Sequence, residues 1–270
     1  MLSFALDGEG LRLGRLEGSI AVITGGGRGI GRAIAQRFAC EGATVVISSR
    51  TEAEIAAVVA EIEAQGGKGL AVVADAMERG SARAPVKQAL ARFGRVDILV
   101  NNVGGCIGMH EPFGGGDEGF EATLVLNVHS AWWATTAALP AMRDNGFGRV
   151  INIGSTESLR ANEGGPTGYV VGKHAIVGLT RQLGRDVGAT GITVNCICPG
   201  WTDTSMVDFA NTGQYFGISA EDARAHAAGQ CAQNRIMEAE EIADTALFLA
   251  SADAARITGQ VISVDGGFRL

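Results

Sequence analysis

Eight residues, Thr24-Gly25-Gly26-Gly27-Arg28-Gly29-Ile30-Gly31, separate an apolar, β-branched run from a helical repeat. The run, 19–24 (SIAVIT), reads as a buried strand. Beyond the turn, Ile30, Ala33, Ile34, Arg37 and Phe38 recur at helical spacing, and Gly42 marks a C-terminal stop. Glycine at such a strand-to-helix turn lets backbone N–H groups close on a pyrophosphate, and the helix N-terminus adds partial positive charge. Taken alone, the same turn also fits an ordinary Gly-rich βα connection.

The alternation continues along the chain. Strands are predicted at 44–49 (TVVISS), 69–75, 96–102 (VDILVNN), 149–155 (RVINIGS), 193–200 (TVNCICPG) and 260–265. Helices are predicted from a capping box at Thr51-Glu52-Ala53-Glu54 to residue 65, and over 81–93, 117–142 and 238–250, with one more running past Tyr169 and Lys173 to residue 187. The stretch 201–230 lacks a clear period and reads as irregular or loosely helical, with a helix expected to start near Asp203. Strands that alternate with helices imply an α/β fold, a parallel sheet covered on both faces. Such sheets bind ligands at the carboxyl ends of their strands, where Gly25, Asn101, Ser155 and Pro199-Gly200 all fall. No repeat, low-complexity tract or linker interrupts the pattern. The expectation is one domain over 1–270, with an N-terminal extension at 1–18 and a substrate lid at 201–230.

Composition narrows the partners. A net charge of −7 argues against general nucleic-acid binding. No apolar run is long enough to span a bilayer, and 1–18 mixes acidic and basic residues unlike a signal peptide. The five cysteines, an odd number in a chain of this size, fit reduced thiols and a cytoplasmic location. Cys196 and Cys198 share one face of a predicted strand, but a pair is too few ligands for a structural metal, and the four histidines have no ligand spacing. No metal is expected.

Tyr169-Val170-Val171-Gly172-Lys173 places a phenol and an ammonium one helical turn apart on the same face. A tyrosine with its ordinary pKa of about 10 is a poor base near neutrality. A neighbouring ammonium favours the phenolate, so the pair is expected to lower that value and to move a proton. Any single Tyr-x-x-x-Lys is also compatible with an exposed helix pair.

Taken in order, TGGGRGIG at 24–31, Asp75, NNVG at 101–104, Asn127, Ser155, YVVGK at 169–173, PG at 199–200 and VDGG at 264–267 resemble the short-chain dehydrogenase/reductase family over about 16–268. The resemblance implies a Rossmann-type, doubly wound sheet of seven parallel strands, assembled as a homo-dimer or homo-tetramer. It implies Tyr169 as acid/base, Lys173 as its partner and a hydrogen bond to the nicotinamide ribose, Ser155 on the substrate oxygen, and Asn127 holding a relay water. It places Gly25, Gly27, Arg28, Gly29, Ile30, Gly31, Asp75, Ala76, Asn101, Asn102, Val103, Gly104, Pro199, Gly200, Thr202 and Thr204 along the cofactor. Asn101 is expected beside the adenosine ribose, Asp75 at the adenine edge, and Thr204 at the carboxamide; Asp265 is read as structural. The interval from Ser155 to Tyr169 is one residue longer than is usual in the family. Thr156 would restore it, but the strand pattern points to Ser155, with the extra residue in the loop 156–168.

An acidic residue at the end of the second strand would bind the ribose hydroxyls of NAD. Here Ser49 and Arg50 stand there and Arg28 lies in the turn, which favours NADP(H) through its 2′-phosphate. Met109, Phe113, Trp201, Met206, Phe209, Tyr215 and Phe216 suggest an uncharged, apolar carbonyl or secondary alcohol as substrate. The expected activity is hydride transfer between NADP(H) and that substrate, most readily ketone reduction. Its alternatives are an NAD-dependent alcohol dehydrogenase, a 3-oxoacyl thioester reductase and a nucleotide sensor without catalysis. The last is disfavoured because Tyr169, Lys173, Ser155 and Asn127 are all kept. Epimerase or dehydratase chemistry is disfavoured by the short chain after Tyr169.

Overall fold

The computed structural model describes residues 14–108, 116–161 and 165–268. The elements are β1 (Ile20–Thr24), α1 (Gly29–Cys40), β2 (Thr44–Ser49), α2 (Glu52–Ala64), β3 (Lys68–Val73), α3 (Arg79–Ala82), α4 (Ala84–Phe93), β4 (Ile98–Asn101), α5 (Asp117–Leu124), α6 (Ser130–Asp144), β5 (Gly148–Ile153), α7 (Thr167–Val187), β6 (Ile192–Pro199), α8 (Phe209–Phe216), α9 (Ala220–Gly229), α10 (Ala239–Ala250) and β7 (Val261–Val264). The strands form one parallel sheet in the order β3-β2-β1-β4-β5-β6-β7. Two apolar clusters cover its faces. One joins Ile23, Phe38 and Ile47 to Ile242 and Leu249; the other joins Val22, Val46 and Leu99 to Met142 and Val194. Successive residues of β1 thus feed opposite faces, which is why a continuous apolar run was needed there. Strand order reverses between β1 and β4, and the crevice above that point is where open sheets of this kind take ligands.

Several local expectations change. The stretch expected as one helix over 117–142 is α5 and α6 joined by a π-helical turn, Val125–His129, which carries Asn127. The extra residue of such a turn re-aims side chains without ending the helix. The stretch expected at 81–93 divides at Arg83, with Pro85 in the first turn of α4, where its missing N–H costs nothing. The capping box expected at Thr51 does not form: Thr51 precedes α2 but makes no side-chain cap, and its N–H donates instead to Ser49 Oγ at 3.1 Å. Within the aperiodic stretch 201–230 stand two short helices. Asp208 caps α8 through the N–H groups of Ala210 and Asn211, and Ser219 caps α9 through that of Asp222. Helices of eight and ten residues are too short for a hydrophobic period to stand out. Among the described residues, no helix is long and apolar enough to cross a membrane. Of the N-terminal extension, residues 1–13 lie outside the described residues.

Candidate active site

The glycine turn is locked to the strand beside it. Thr24 Oγ1 donates to the Val100 carbonyl (3.3 Å) and accepts from the N–H groups of Asn102 (3.0 Å) and Val103 (3.3 Å). Asn102 Nδ2 donates back to the carbonyls of Thr24 (3.1 Å) and Gly25 (3.0 Å). Gly25 has φ +65°, the left-handed region that favours glycine. A Cβ at Gly31 would lie 2.2 Å from the Gly25 carbonyl oxygen, so only glycine lets α1 start this close to β1. Ile30 packs on the core beneath. On the open side, Thr204 closes the turn: a Cβ at Gly29 would meet Thr204 Cγ2 at 3.3 Å.

Asn101 points away from the crevice. Its Nδ2 donates to Thr135 Oγ1 (2.9 Å) and Asn152 Oδ1 (2.8 Å), inside the sheet, and its Oδ1 has no partner. The steadying of β4 is seen, and the side chain offers no donor toward a ribose. Asp75 follows β3, accepts from the Met77 N–H (2.9 Å) and donates its own N–H to Ser81 Oγ (2.8 Å), with Ala76 half-buried in that turn. Pro199 ends β6. Gly200 is required by packing, since a Cβ there would lie 2.9 Å from Asp265 Cβ. Thr202 is buried and donates to the Gly200 carbonyl at 3.0 Å. Asp265 accepts from the Gly267 N–H, a structural bond.

Ser155, Tyr169, Lys173 and Asn127 meet at the mouth of the crevice. Ser155 Oγ accepts from the Glu157 N–H (3.2 Å) and is hydrogen-bonded to the Tyr169 hydroxyl, which selects Ser155 over Thr156. Residues 162–164 of the lengthened loop lie outside the described residues. Lys173 is buried, with Nζ donating to the Ile153 carbonyl (2.8 Å) and standing 5.5 Å from the Tyr169 ring centroid. Asn127 accepts from the Gly105 N–H (3.1 Å) and donates to the carbonyls of Gly105 (2.7 Å) and Thr123 (2.8 Å). A Cβ at Gly104 would lie 2.8 Å from both Asn127 Oδ1 and Lys173 Nζ, so the two polar groups converge on that bare backbone.

The electrostatics differ from the sequence expectation. Burial pushes the Tyr169 phenol up to about 12, against the lowering effect of the Ser155 bond. Burial pulls Lys173 down to about 8. Desolvation wins over the ammonium because Lys173 directs its proton at the Ile153 carbonyl and not at the phenol oxygen. A feature the sequence reading left without a role lies just behind. Cys196 and Cys198 are fully buried, 3.8 Å apart, and a Cβ at Gly154 would lie 2.8 and 2.9 Å from their sulfurs. They form the floor under the Ser155 loop.

The residues present fit a dinucleotide: a glycine turn at a helix N-terminus, exposed Arg28 and Arg50 beside Ser49, and the bare Gly104 backbone facing Lys173. The comparisons agree. A family model described as Enoyl-(Acyl carrier protein) reductase matches residues 25–269. The short-chain reductase protein NovJ of Streptomyces niveus is 37% identical over 92% of this chain and 93% of its own length. The 3-oxoacyl-[acyl-carrier-protein] reductase FabG of Escherichia coli K12 is 36% identical over 93% of this chain and 97% of its own. A variant of actinorhodin polyketide ketoreductase, solved with NADPH, superposes with a TM-score of 0.87 at 30% identity, covering 93% of this chain and 97% of that one. The chain belongs to the short-chain dehydrogenase/reductase family. It is an NAD(P)-dependent oxidoreductase.

Proposed function

We propose that the chain reduces a ketone to a secondary alcohol with NADPH. The hydrogen bond between the Ser155 and Tyr169 hydroxyls, with Lys173 one turn behind, carries this reading. When bound, NADPH supplies the hydride to the carbonyl carbon. Ser155 and Tyr169 both hydrogen-bond the substrate oxygen, and Tyr169, held neutral by its raised pKa, gives up its proton as negative charge develops there. The phenolate regains its proton from the Lys173 ammonium through an intervening hydroxyl or water, because Nζ itself is bonded to the Ile153 carbonyl. A pKa of about 8 lets Lys173 do so and recharge from solvent near neutrality. Asn127, fastened to Gly105 and Thr123, holds the Gly104 backbone against Lys173, whose replacement proton comes from water.

Arg28, Arg50 and Ser49 support NADPH over NADH, since an exposed guanidinium suits a 2′-phosphate. The lid, with Trp201 against Phe209 at 6.1 Å and Met206 exposed, supports an apolar carbonyl compound. Met109 and Phe113 lie outside the described residues, as do the side chains of Tyr215 and Phe216. The same reading takes 1–270 as one domain of a cytoplasmic homo-dimer or homo-tetramer. The test is cofactor oxidation with purified protein, NADPH and a panel of aliphatic, aromatic and 3-oxoacyl thioester ketones. Turnover of at least one ketone that is lost in Tyr169→Phe is the expected result. No turnover in either direction across ketones and alcohols would overturn the proposal.

A further inference from the structure

The end of β2 is not free of carboxylate, although the strand itself ends in Ser49-Arg50. Glu54, from the first turn of α2, reaches back over the glycine turn. A Cβ at Gly27 would lie 2.9 Å from Glu54 Cβ, 3.1 Å from its Oε2 and 3.4 Å from Ser49 Oγ. Glu54 therefore lies on the bare face of Gly27, between the turn and the strand end, where the adenosine ribose is expected. Its carboxylate is half-buried, and among the described residues it has no hydrogen bond or ion pair. Arg28 and Arg50, the exposed cations of the turn and the strand end, likewise have no side-chain partner among those residues. A carboxylate is the acceptor with which NAD-binding chains hold the ribose hydroxyls. Here one reaches the glycine turn from the following helix, against Gly27 and Ser49, which are followed in sequence by Arg28 and Arg50 with exposed guanidinia suited to a phosphate.

We propose that Glu54 is a specificity-determining residue of the adenosine-ribose subsite, opposing Arg28 and Arg50. Its carboxylate accepts from the ribose 2′-hydroxyl of NAD(H) and repels the 2′-phosphate of NADP(H). It therefore holds the preference for NADPH below what the two arginines alone would give. Like charges a few ångströms apart in a partly screened cleft change binding by roughly tenfold.

This inference rests on the NADP(H) reading above, and one experiment separates the two. NADPH and NADH are titrated, without substrate, into the wild type, Glu54→Gln, Glu54→Ala and Arg50→Ala, following cofactor fluorescence. The expected result is a ratio of NADH to NADPH dissociation constants that rises about tenfold in both Glu54 variants, chiefly through tighter NADPH, and falls in Arg50→Ala. If Arg50→Ala lowers the ratio but the Glu54 variants leave it unchanged, the inference fails and the NADP(H) reading stands. Weaker NADPH binding in Glu54→Gln also overturns it, because Glu54 would then be ordering the arginines. If no variant moves the ratio, both readings fail.

Discussion

Lys173 Nζ and Asn127 Oδ1 approach the same face of Gly104, each 2.8 Å from where a Cβ would stand. One group arrives from α7, the other from the π-helical turn between α5 and α6. Gly172, on the same turn of α7 as Lys173, lets that turn come close, since its Cβ would lie 3.2 Å from Asn127 Cβ. Gly104→Ala should therefore displace one or both groups. The expected cost is about 1–3 kcal/mol of stability, as for overpacking, with turnover falling by more than NADPH affinity. Thermal denaturation and a separate cofactor titration check this, and an unchanged turnover would refute it.

Tyr169→Phe removes the proton donor and the bond to Ser155 but keeps the ring over Lys173. Turnover should drop about 10²–10⁴-fold, the range of a lost general acid, while NADPH binding stays near wild type. Comparable loss of cofactor binding would mean that the ring, and not its hydroxyl, matters.

Lys173 gives a pH signature of stability. Its folded pKa of about 8 lies below the unfolded value of about 10.4, so between them the unfolded chain holds the proton that the folded chain has lost. Stability contributed by this site therefore rises with pH from about 8 to 10, and the cost of the buried ammonium is complete below 8. Tyr169 runs the other way, raised to about 12, and lowers stability only as pH climbs above its unfolded value of about 10. Lys173→Met should be inactive yet more stable than wild type at pH 7, by about 1–3 kcal/mol, with the gap closing toward pH 10. Melting curves across that range decide it, and a gap that stays constant would contradict the assignment.

Asn102→Ala cuts both bonds from its side chain to the Thr24 and Gly25 carbonyls. Two partly buried acceptors lose their partner, for about 1–3 kcal/mol. Because these carbonyls shape the glycine turn, both NADPH and NADH should bind more weakly, by similar factors. Chemical denaturation and the two titrations measure this, and a selective loss of one cofactor would point to a direct contact instead.

Much of this protein was legible in one dimension. The apolar run before the glycine turn, the alternation of strands and helices, and the Tyr169–Lys173 spacing are local patterns, and each produced the expected element. Boundaries shifted where a terminal turn or a single residue decided them, as at Arg83 and Thr51. The aperiodic stretch after Trp201 hid two short helices whose caps, Asp208 and Ser219, were visible residues with no hydrophobic repeat to announce them.

What the sequence alone determined was the parallel sheet, the glycine turn between β1 and α1 and the placement of Tyr169 and Lys173 one turn apart on one helix, because backbone periodicity and glycine's conformational freedom are properties of neighbouring residues. Tertiary structure decided the rest. Burial, which depends on elements far apart in the chain, raised the pKa of the Tyr169 phenol where its spacing from Lys173 suggested a lowered one, and pulled that of Lys173 down. Packing turned Asn101 inward and laid Glu54 from α2 across Gly27. Desolvation and charge placement arise from what surrounds a group in space, and no reading of the strand end by itself could supply them.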